Sequence, residues 1–140
     1  MVAAAALAAC GGGNGGFSQP PAVTCVVPTG TQVALAYPVP GATGVPDAPG
    51  QVVIATSPAL PASWQVVLQA GGFFQSESVL NTIPQSSVPT PMATPSFASP
   101  VYQSSGLSGA LGSATTFTVE LNNEASNCNV FPVVGSFTTQ

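Results

Sequence analysis

Short runs of alternating apolar and polar residues recur along the chain, and prolines, glycines or asparagines end most of them. Residues 31–37 alternate up to a proline, and residues 115–121 alternate with Phe117, Val119 and Leu121 on one side. Alternation with a period of two residues is typical of strands that bury one face. The chain is therefore predicted to form short strands joined by turns.

The pattern predicts about seven strands in all. Residues 38–50 hold four prolines and three glycines, and residues 84–100 hold five prolines, so neither stretch is predicted to be a strand. We expect the second stretch to be a long surface connection. Asn122 and Asn123 predict a turn. The predicted strands are residues 31–37, 51–57, 64–70, one strand within 73–83, 101–104, 115–121 and 133–139.

The predicted fold class is all-β, an immunoglobulin-like antiparallel β-sandwich of about seven strands. Valine, threonine, serine, proline and glycine dominate the chain after its alanine-rich start, and good helix formers are scarce. Short strands separated by turn residues fit two packed sheets. The residues expected in the core are Val33, Leu35, Val53, Trp64, Val66, Leu68, Phe117, Val119, Leu121 and Phe137.

The chain contains no Lys, no Arg and no His, and its four acidic residues give a net charge of −4. Nucleic acids and anionic lipid headgroups are bound through cationic side chains, so both are excluded as ligands. The usual serine and cysteine nucleophiles need a His or Lys as general base, so catalysis of those kinds is also excluded. We predict a protein that is not an enzyme and that uses no cofactor.

The acidic residues offer little other chemistry. Two carboxylates can hydrolyse a glycosidic bond, but Glu120 alternates outward on its strand and Glu124 lies in a turn, so we expect solvated surface acids there, and also at Asp47 and Glu77. One loop offers several oxygen ligands but a single carboxylate, which is too little charge for a tight calcium site. No metal site is predicted; the ligands in that loop would be Asn122, Asn123, Glu124 and Asn127.

The N-terminal residues combine a short apolar run with a stretch rich in glycine and asparagine. Leu7-Ala8-Ala9-Cys10, followed by glycines, resembles the lipobox of a bacterial lipoprotein signal. The resemblance implies cleavage before Cys10 and acyl chains on it that anchor the protein in a membrane. By default this is the outer membrane, because residue 11 is not Asp, and the protein would face the periplasm or the cell surface.

On this interpretation, residues 1–9 are a truncated signal segment, residues 10–24 are a flexible Gly/Asn/Pro tether, and residues 25–140 are the domain. A complete signal has a basic start and a longer apolar run than the one seen here. Either the true start codon lies upstream, or Cys10 is an ordinary cysteine.

The opening part and the closing part of the body resemble a known family. The sequence YPVPGATGVPD at residues 37–47 resembles the opening of bacterial Ig-like domains of the SbsA or Big type, and TFTV at 116–119 and SFTT at 136–139 resemble its closing strands. The resemblance covers residues 30–140 in outline. It implies an Ig-like sandwich that works as a non-catalytic cell-envelope module for adhesion, spacing or assembly.

The cysteines add a further expectation. If Cys10 carries lipid, Cys25 and Cys128 remain as an even pair in an oxidising compartment, which favours a disulfide between them. Such a bond would close a loop of about 100 residues. The alternative is a pair of free, buried thiols.

Aromatic side chains are the remaining sign of a ligand surface. Trp64 lies on the apolar side of its strand, so we expect it in the core. Phe73 and Phe74 follow two glycines, and one of the two should point outward in an extended strand, so both are named as a possible ligand surface. The partner would be an unidentified protein or glycan; the alternative function is a carbohydrate-binding β-sandwich module on the cell surface.

Overall fold

The computed structural model describes residue 16 and residues 18–140. Eight strands form two antiparallel four-stranded sheets, which confirms the all-β sandwich. Within these residues, no helix is long and apolar enough to cross a membrane. The predicted signal segment and Cys10 lie outside the described residues. The strands are β1 (Gln32–Tyr37), β2 (Gln51–Ser57), β3 (Trp64–Ala70), β4 (Phe73–Val79), β5 (Asn81–Ile83), β6 (Val101–Gly106), β7 (Thr116–Asn123) and β8 (Val133–Thr138).

The first sheet has the strand order β1-β2-β6-β5, and the second has the order β4-β3-β7-β8. Strands A, B, E and D of immunoglobulin-type sandwiches have the first arrangement, and strands C′, C, F and G have the second. The described residues hold eight strands where the sequence predicts about seven, because residues 73–83 form both β4 and β5. Asn122 and Asn123, predicted as a turn, end β7, and the turn follows at residues 124–125.

Alternate residues of the strands fill the space between the two sheets. Trp64 is 1% exposed, and the rings of Phe117 and Phe137 stack with 5.6 Å between their centroids. Burying each large apolar side chain contributes about 1.5–3 kcal/mol. The predicted core is confirmed except at its margin, where Val33 is half-buried, and at Val53, which lies on the opposite face of β2.

Residues 84–100 cover the outer face of the first sheet, and we call them the cover segment. The sequence predicts a surface connection here, but part of this segment is buried in a second apolar cluster on the far side of the first sheet. A β-bulge lies between Leu35 and Tyr37, so that Leu35 points into the core whereas Tyr37 packs against this second cluster. The cluster contains Ala36, Val53, Ala55, Val88 and Tyr102, flanked by Tyr37, Ile83, Met92 and Phe97.

Residues 41–45 close the free edge of β8. The N–H of Gly41 donates to the carbonyl of Ser136 at 2.7 Å, and the N–H of Val45 donates to the carbonyl of Thr138 at 3.0 Å. An edge strand with unpaired backbone groups is open to pairing with other chains, so this segment protects β8. The two stretches that carry the family resemblance are thus hydrogen-bonded to each other.

Gly135 allows β8 to approach β1 closely. A Cβ at position 135 would lie 2.8 Å from Cδ2 of Leu35 and 3.1 Å from its Cβ. Leu35 is buried in the core and has little space to move away. Any larger residue at position 135 would therefore push the two sheets apart along this margin.

A buried glutamine fixes the loop that precedes β3. The N–H of Leu60 donates to Oε1 of Gln103 at 2.8 Å, and Nε2 of Gln103 donates to the carbonyl of Leu60 at 3.1 Å. The hydroxyl of Thr56 donates to the same Oε1 at 3.0 Å. Buried backbone groups outside a sheet need such partners, so the Gln103 amide takes the place of a neighbouring strand for Leu60.

A disulfide joins Cys25 to Cys128, as the sequence predicts. It ties the segment before β1 to the loop between β7 and β8, whereas the antibody bridge joins strands B and F. The N–H of Cys25 donates to the carbonyl of Val130 at 2.8 Å, and the N–H of Val130 donates to the carbonyl of Val23 at 3.0 Å. The last residues of the predicted tether are therefore bonded to this loop.

Candidate interaction surface

Within residues 18–140, no apolar cluster covers the outer face of the second sheet. We call this surface the open face; it is formed by the side chains of β3, β4, β7 and β8 that point away from the core. It differs from the outer face of the first sheet, which is apolar and lies under the cover segment. The open face is therefore the part of the sandwich where a polar ligand or a partner can reach a sheet.

Cross-strand pairing arranges the centre of the open face in three rows. Each row has one residue from β4, one from β3 and one from β7, because β3 pairs with both neighbours. Successive rows along a strand are about 6.6–6.8 Å apart. The rows are Val79–Gln65–Asn122, Glu77–Val67–Glu120 and Phe74–Gln69–Thr118.

Side-chain amides bind both carboxylates of the middle row. Nδ2 of Asn122 donates to Oε1 of Glu77 at 2.6 Å, which links β7 to β4 across β3. Nε2 of Gln69 donates to Oε2 of Glu120 at 2.8 Å. Val67, between the two acids, is completely buried. The middle row is therefore an apolar floor with a carboxylate on either side.

Gln65 in the first row is buried but incompletely bonded. Its side chain is 7% exposed, and its Oε1 atom has no hydrogen-bond partner among the described residues. An unpaired buried acceptor costs about 1–3 kcal/mol, so a donor that reached this atom would bind favourably. The open face thus holds an unused acceptor next to its two carboxylates.

The fold alters the titration of Glu120. Partial burial raises the pKa of the Glu120 carboxyl above its ordinary value, because the charged form loses hydration. The chain contains no Lys, Arg or His that could offset this loss. The charged form of Glu120 would therefore be favoured by a cation supplied from outside the chain.

Phe73 and Phe74 begin β4 on the free side of the second sheet. Phe74 pairs with Gln69 on the open face, whereas Phe73 pairs with Ala70, which packs against the core. Phe73 is 74% exposed and Phe74 is 59% exposed, so both are exposed where the sequence predicts one. The reason is that β4 is an edge strand and Phe73 is its first residue. Gly71 and Gly72 form the preceding hairpin turn. Their φ angles of 58° and 79° are values that residues other than glycine rarely adopt.

The fold does not favour the other candidate residues as a site. Asp47 lies away from the open face. Its Oδ2 accepts from the hydroxyl of Ser113 at 2.7 Å. Trp64, as predicted, and Tyr102 are both buried, so neither offers a surface to a ligand. Of the acids, Glu77 and Glu120 share a row, a pairing that the sequence does not indicate.

The asparagine-rich loop has the geometry of a turn. Oδ1 of Asn123 accepts from the N–H of Ala125 at 3.1 Å, and the carbonyl of Asn123 accepts from the hydroxyl of Ser126 at 3.1 Å. Such bonds are typical of asparagine in turns. The part of the chain that the structure describes contains no group of three or more His, Cys, Asp or Glu residues placed to hold a metal ion.

Comparison of the chain with protein-family models, with curated proteins and with solved structures gives no match. The family resemblance therefore remains an expectation from the two sequence stretches that carry it.

Proposed function

We propose that the protein is a non-catalytic, lipid-anchored cell-envelope module of the Ig-like type that serves adhesion, spacing or assembly through its open face. The observation that carries this proposal is the contrast between the two sheets. The first sheet is covered on its outer side and the β8 edge is closed, whereas the open face and the β4 edge are exposed and carry Phe73 and Phe74. Exposed apolar side chains grouped at one edge are typical of interaction sites.

The strand order supports the Ig-like part of this proposal. Immunoglobulin-type domains have the arrangement ABED and C′CFG, which the two sheets share. The pairing of residues 41–45 with β8 further gives a structural role to both stretches that resemble the bacterial Ig-like family. The absence of Lys and His from the whole sequence supports a role without catalysis.

The lipid anchor rests on the sequence around Cys10 and is supported by the disulfide, which is typical of exported proteins. Expression in a Gram-negative host with the natural upstream DNA should give a chain that begins at Cys10 and is heavier by its acyl chains. Intact-mass spectrometry measures this directly. A chain that begins at Met1 and carries no acyl group would contradict the anchor and leave the open face unaffected.

Adhesion through the open face can be tested on beads. Beads coated with the full chain carrying Cys10→Ser, which prevents acylation, are mixed with fluorescent outer-membrane vesicles and with intact Gram-negative cells. We expect beads coated with the domain to retain both the vesicles and the cells. The double variant Phe73→Ser with Phe74→Ser should retain at least about tenfold less, because truncation of an aromatic hot spot costs an interface about 2 kcal/mol or more.

The matched control is Val26→Ser, since Val26 is 77% exposed and lies outside both sheets. This variant should bind like the wild type. Equal binding by the wild type and the phenylalanine variant, or no binding by either, would contradict a role of the open face in adhesion.

A carbohydrate-binding module is the second candidate function. The observation that favours it is the third row, where exposed Phe74 lies beside Gln69, which is itself bonded to Glu120. Sugar rings pack on aromatic side chains while amides and carboxylates bond to their hydroxyl groups. Retention of the domain on immobilised polysaccharide, lost with Phe74→Ser, would favour this function over protein-mediated assembly.

A further inference from the structure

We propose that the open face binds a lysine- or arginine-bearing segment of another protein, with the cationic group between Glu77 and Glu120 and its hydrocarbon stem against Phe74. This inference rests on the proposed function, because it takes the open face to be the interaction surface. It adds the chemical class of the partner.

Charge is the first reason. Glu77 and Glu120 face each other across Val67, and amides rather than cations hold both carboxylates. No Lys, Arg or His exists anywhere in the chain, so these two charges can be neutralised only from outside. A guanidinium has five N–H donors and an ammonium has three, which suits carboxylate oxygens in this arrangement.

The buried acceptor in the first row is the second reason. Oε1 of Gln65 lacks a donor among the residues that the structure describes, while its side chain is more than nine-tenths buried on the same face as Glu77 and Asn122. Lys and Arg are rich in donors and have no acceptor to compete for Nδ2 of Asn122. A cationic side chain would therefore satisfy an atom that the protein leaves unpaired.

Exposed apolar surface beside the carboxylates is the third reason. Lys and Arg bury their hydrocarbon stems along apolar surface while the charged end stays with polar groups. Phe74 supplies this surface: it stands one row further along β4 than Glu77 and is 59% exposed, whereas Val67 in the middle row is completely buried. An aromatic ring in this position also attracts the cation itself.

A second copy of the chain does not fit this site. A second copy has no cationic side chain to bring to Glu77 and Glu120, and its only charged side chains are acidic, which these carboxylates repel. Pairing of two β4 edges is hindered further by the bulge that the edge carries opposite Leu68 and Gln69. The partner is therefore a different protein.

The test uses two short peptides and amide NMR spectra of the full chain carrying Cys10→Ser. One probe is an acetylated hexapeptide of alternating threonine and arginine; the other replaces each arginine with citrulline, its neutral isostere. We expect the arginine peptide to shift the amide signals of β3, β4 and β7 around Val67, and salt to weaken binding. The citrulline peptide should cause no comparable shifts.

Neutral variants then locate the binding energy. The double variant Glu77→Gln with Glu120→Gln keeps both side-chain shapes and should weaken binding of the arginine peptide about five- to thirtyfold, as expected for two exposed ion pairs near the upper end of their usual strength. The control is Glu124→Gln, which removes an exposed acid in the turn after β7. It should change the affinity by less than about twofold. Amide spectra of the free variants verify that each is folded.

Several results would overturn this inference while leaving the proposed function intact. Equal binding of the arginine and citrulline peptides would show that charge is not recognised. If Glu124→Gln lowered the affinity for the arginine peptide as much as the double variant does, the peptide would be attracted by the overall negative charge rather than by this site. Shifts at the same residues caused by an oligosaccharide and not by the arginine peptide would favour the glycan-binding alternative. Concentration-dependent self-association through β4 would identify a second copy as the occupant. The bead experiment with the phenylalanine variant tests the proposed function separately.

Discussion

Replacement of the two disulfide cysteines should lower the free energy of unfolding by about 4–5 kcal/mol, the largest effect expected for any change in this domain. The bond joins residues separated by 103 positions, so it restricts most of the unfolded chain. In the chain-entropy account, stabilisation grows with the logarithm of the loop length. Denaturant unfolding of Cys25→Ala with Cys128→Ala, compared with the oxidised domain, measures the difference.

The comparison is made with Cys10→Ser in both proteins, so that no free thiol can exchange with the bond. Reduction of the parent protein also breaks the disulfide, and it does so without a substitution at Cys25, whose side chain is buried. Both routes should give a similar loss of stability. A loss below about 1 kcal/mol by both would mean that the disulfide contributes little to folding.

Gln103→Met should lower the free energy of unfolding by about 2–5 kcal/mol, even though the new side chain has a similar volume. The substitution leaves the N–H and the carbonyl of Leu60 without partners in a buried place, and each unpaired group costs about 1–3 kcal/mol. The hydroxyl of Thr56 also loses its acceptor. Thermal and denaturant unfolding should both report the loss.

Gln32→Met is the matched control, because Gln32 is the exposed first residue of β1. It should change stability by no more than about 0.5 kcal/mol. If Gln103→Met were equally mild, the loop before β3 would have to be held by its apolar contacts rather than by the amide of Gln103.

Most strand positions can be predicted from local sequence in this chain. The bounds of β2 and β3 agree with the prediction because β-branched and apolar residues fill both strands and glycine or proline lies close to each end. The face assignments in β3 and β7 are also confirmed, since Trp64 and Phe117 point into the core. Strand bounds and face assignments depend on residues that are close together in the chain, so they can be derived from the sequence alone.

The cover segment shows where local reasoning ends. Its prolines correctly exclude a strand, but nothing in residues 84–100 alone indicates that Val88 would join Val53 in a buried apolar cluster. That packing requires an apolar outer face on β2, and β2 is apolar at four consecutive positions, residues 52–55, rather than alternating. A strand of this kind is buried on both faces, which is the signal that would have indicated a covering layer.

The residues that meet on the open face can be predicted only when the pairing of the strands is known. The alternation of β7 predicts that Glu120 points outward, and the structure agrees. That Glu77 lies in the same row depends on the register of β3 with two different strands, and register between distant strands cannot be derived from composition or periodicity. Exposure of both phenylalanines likewise depends on β4 being an edge strand.

The disulfide also determines how the domain would transmit a pulling force. Tension that enters through the segment before Cys25 passes directly to Cys128 and bypasses β1 to β7, so residues 25–128 cannot be extended while the bond is intact. A pull on the far end of β8 is then carried from Cys128 along residues 129–140, and β8 within this stretch is held by hydrogen bonds to β7 and to residues 41–45. Residues 129–140 are at most about 43 Å long at 3.3–3.6 Å per residue, and β8 is already extended, so even complete detachment of β8 would lengthen the molecule by less than this. An oxidised domain of this design would behave under load as a nearly inextensible link.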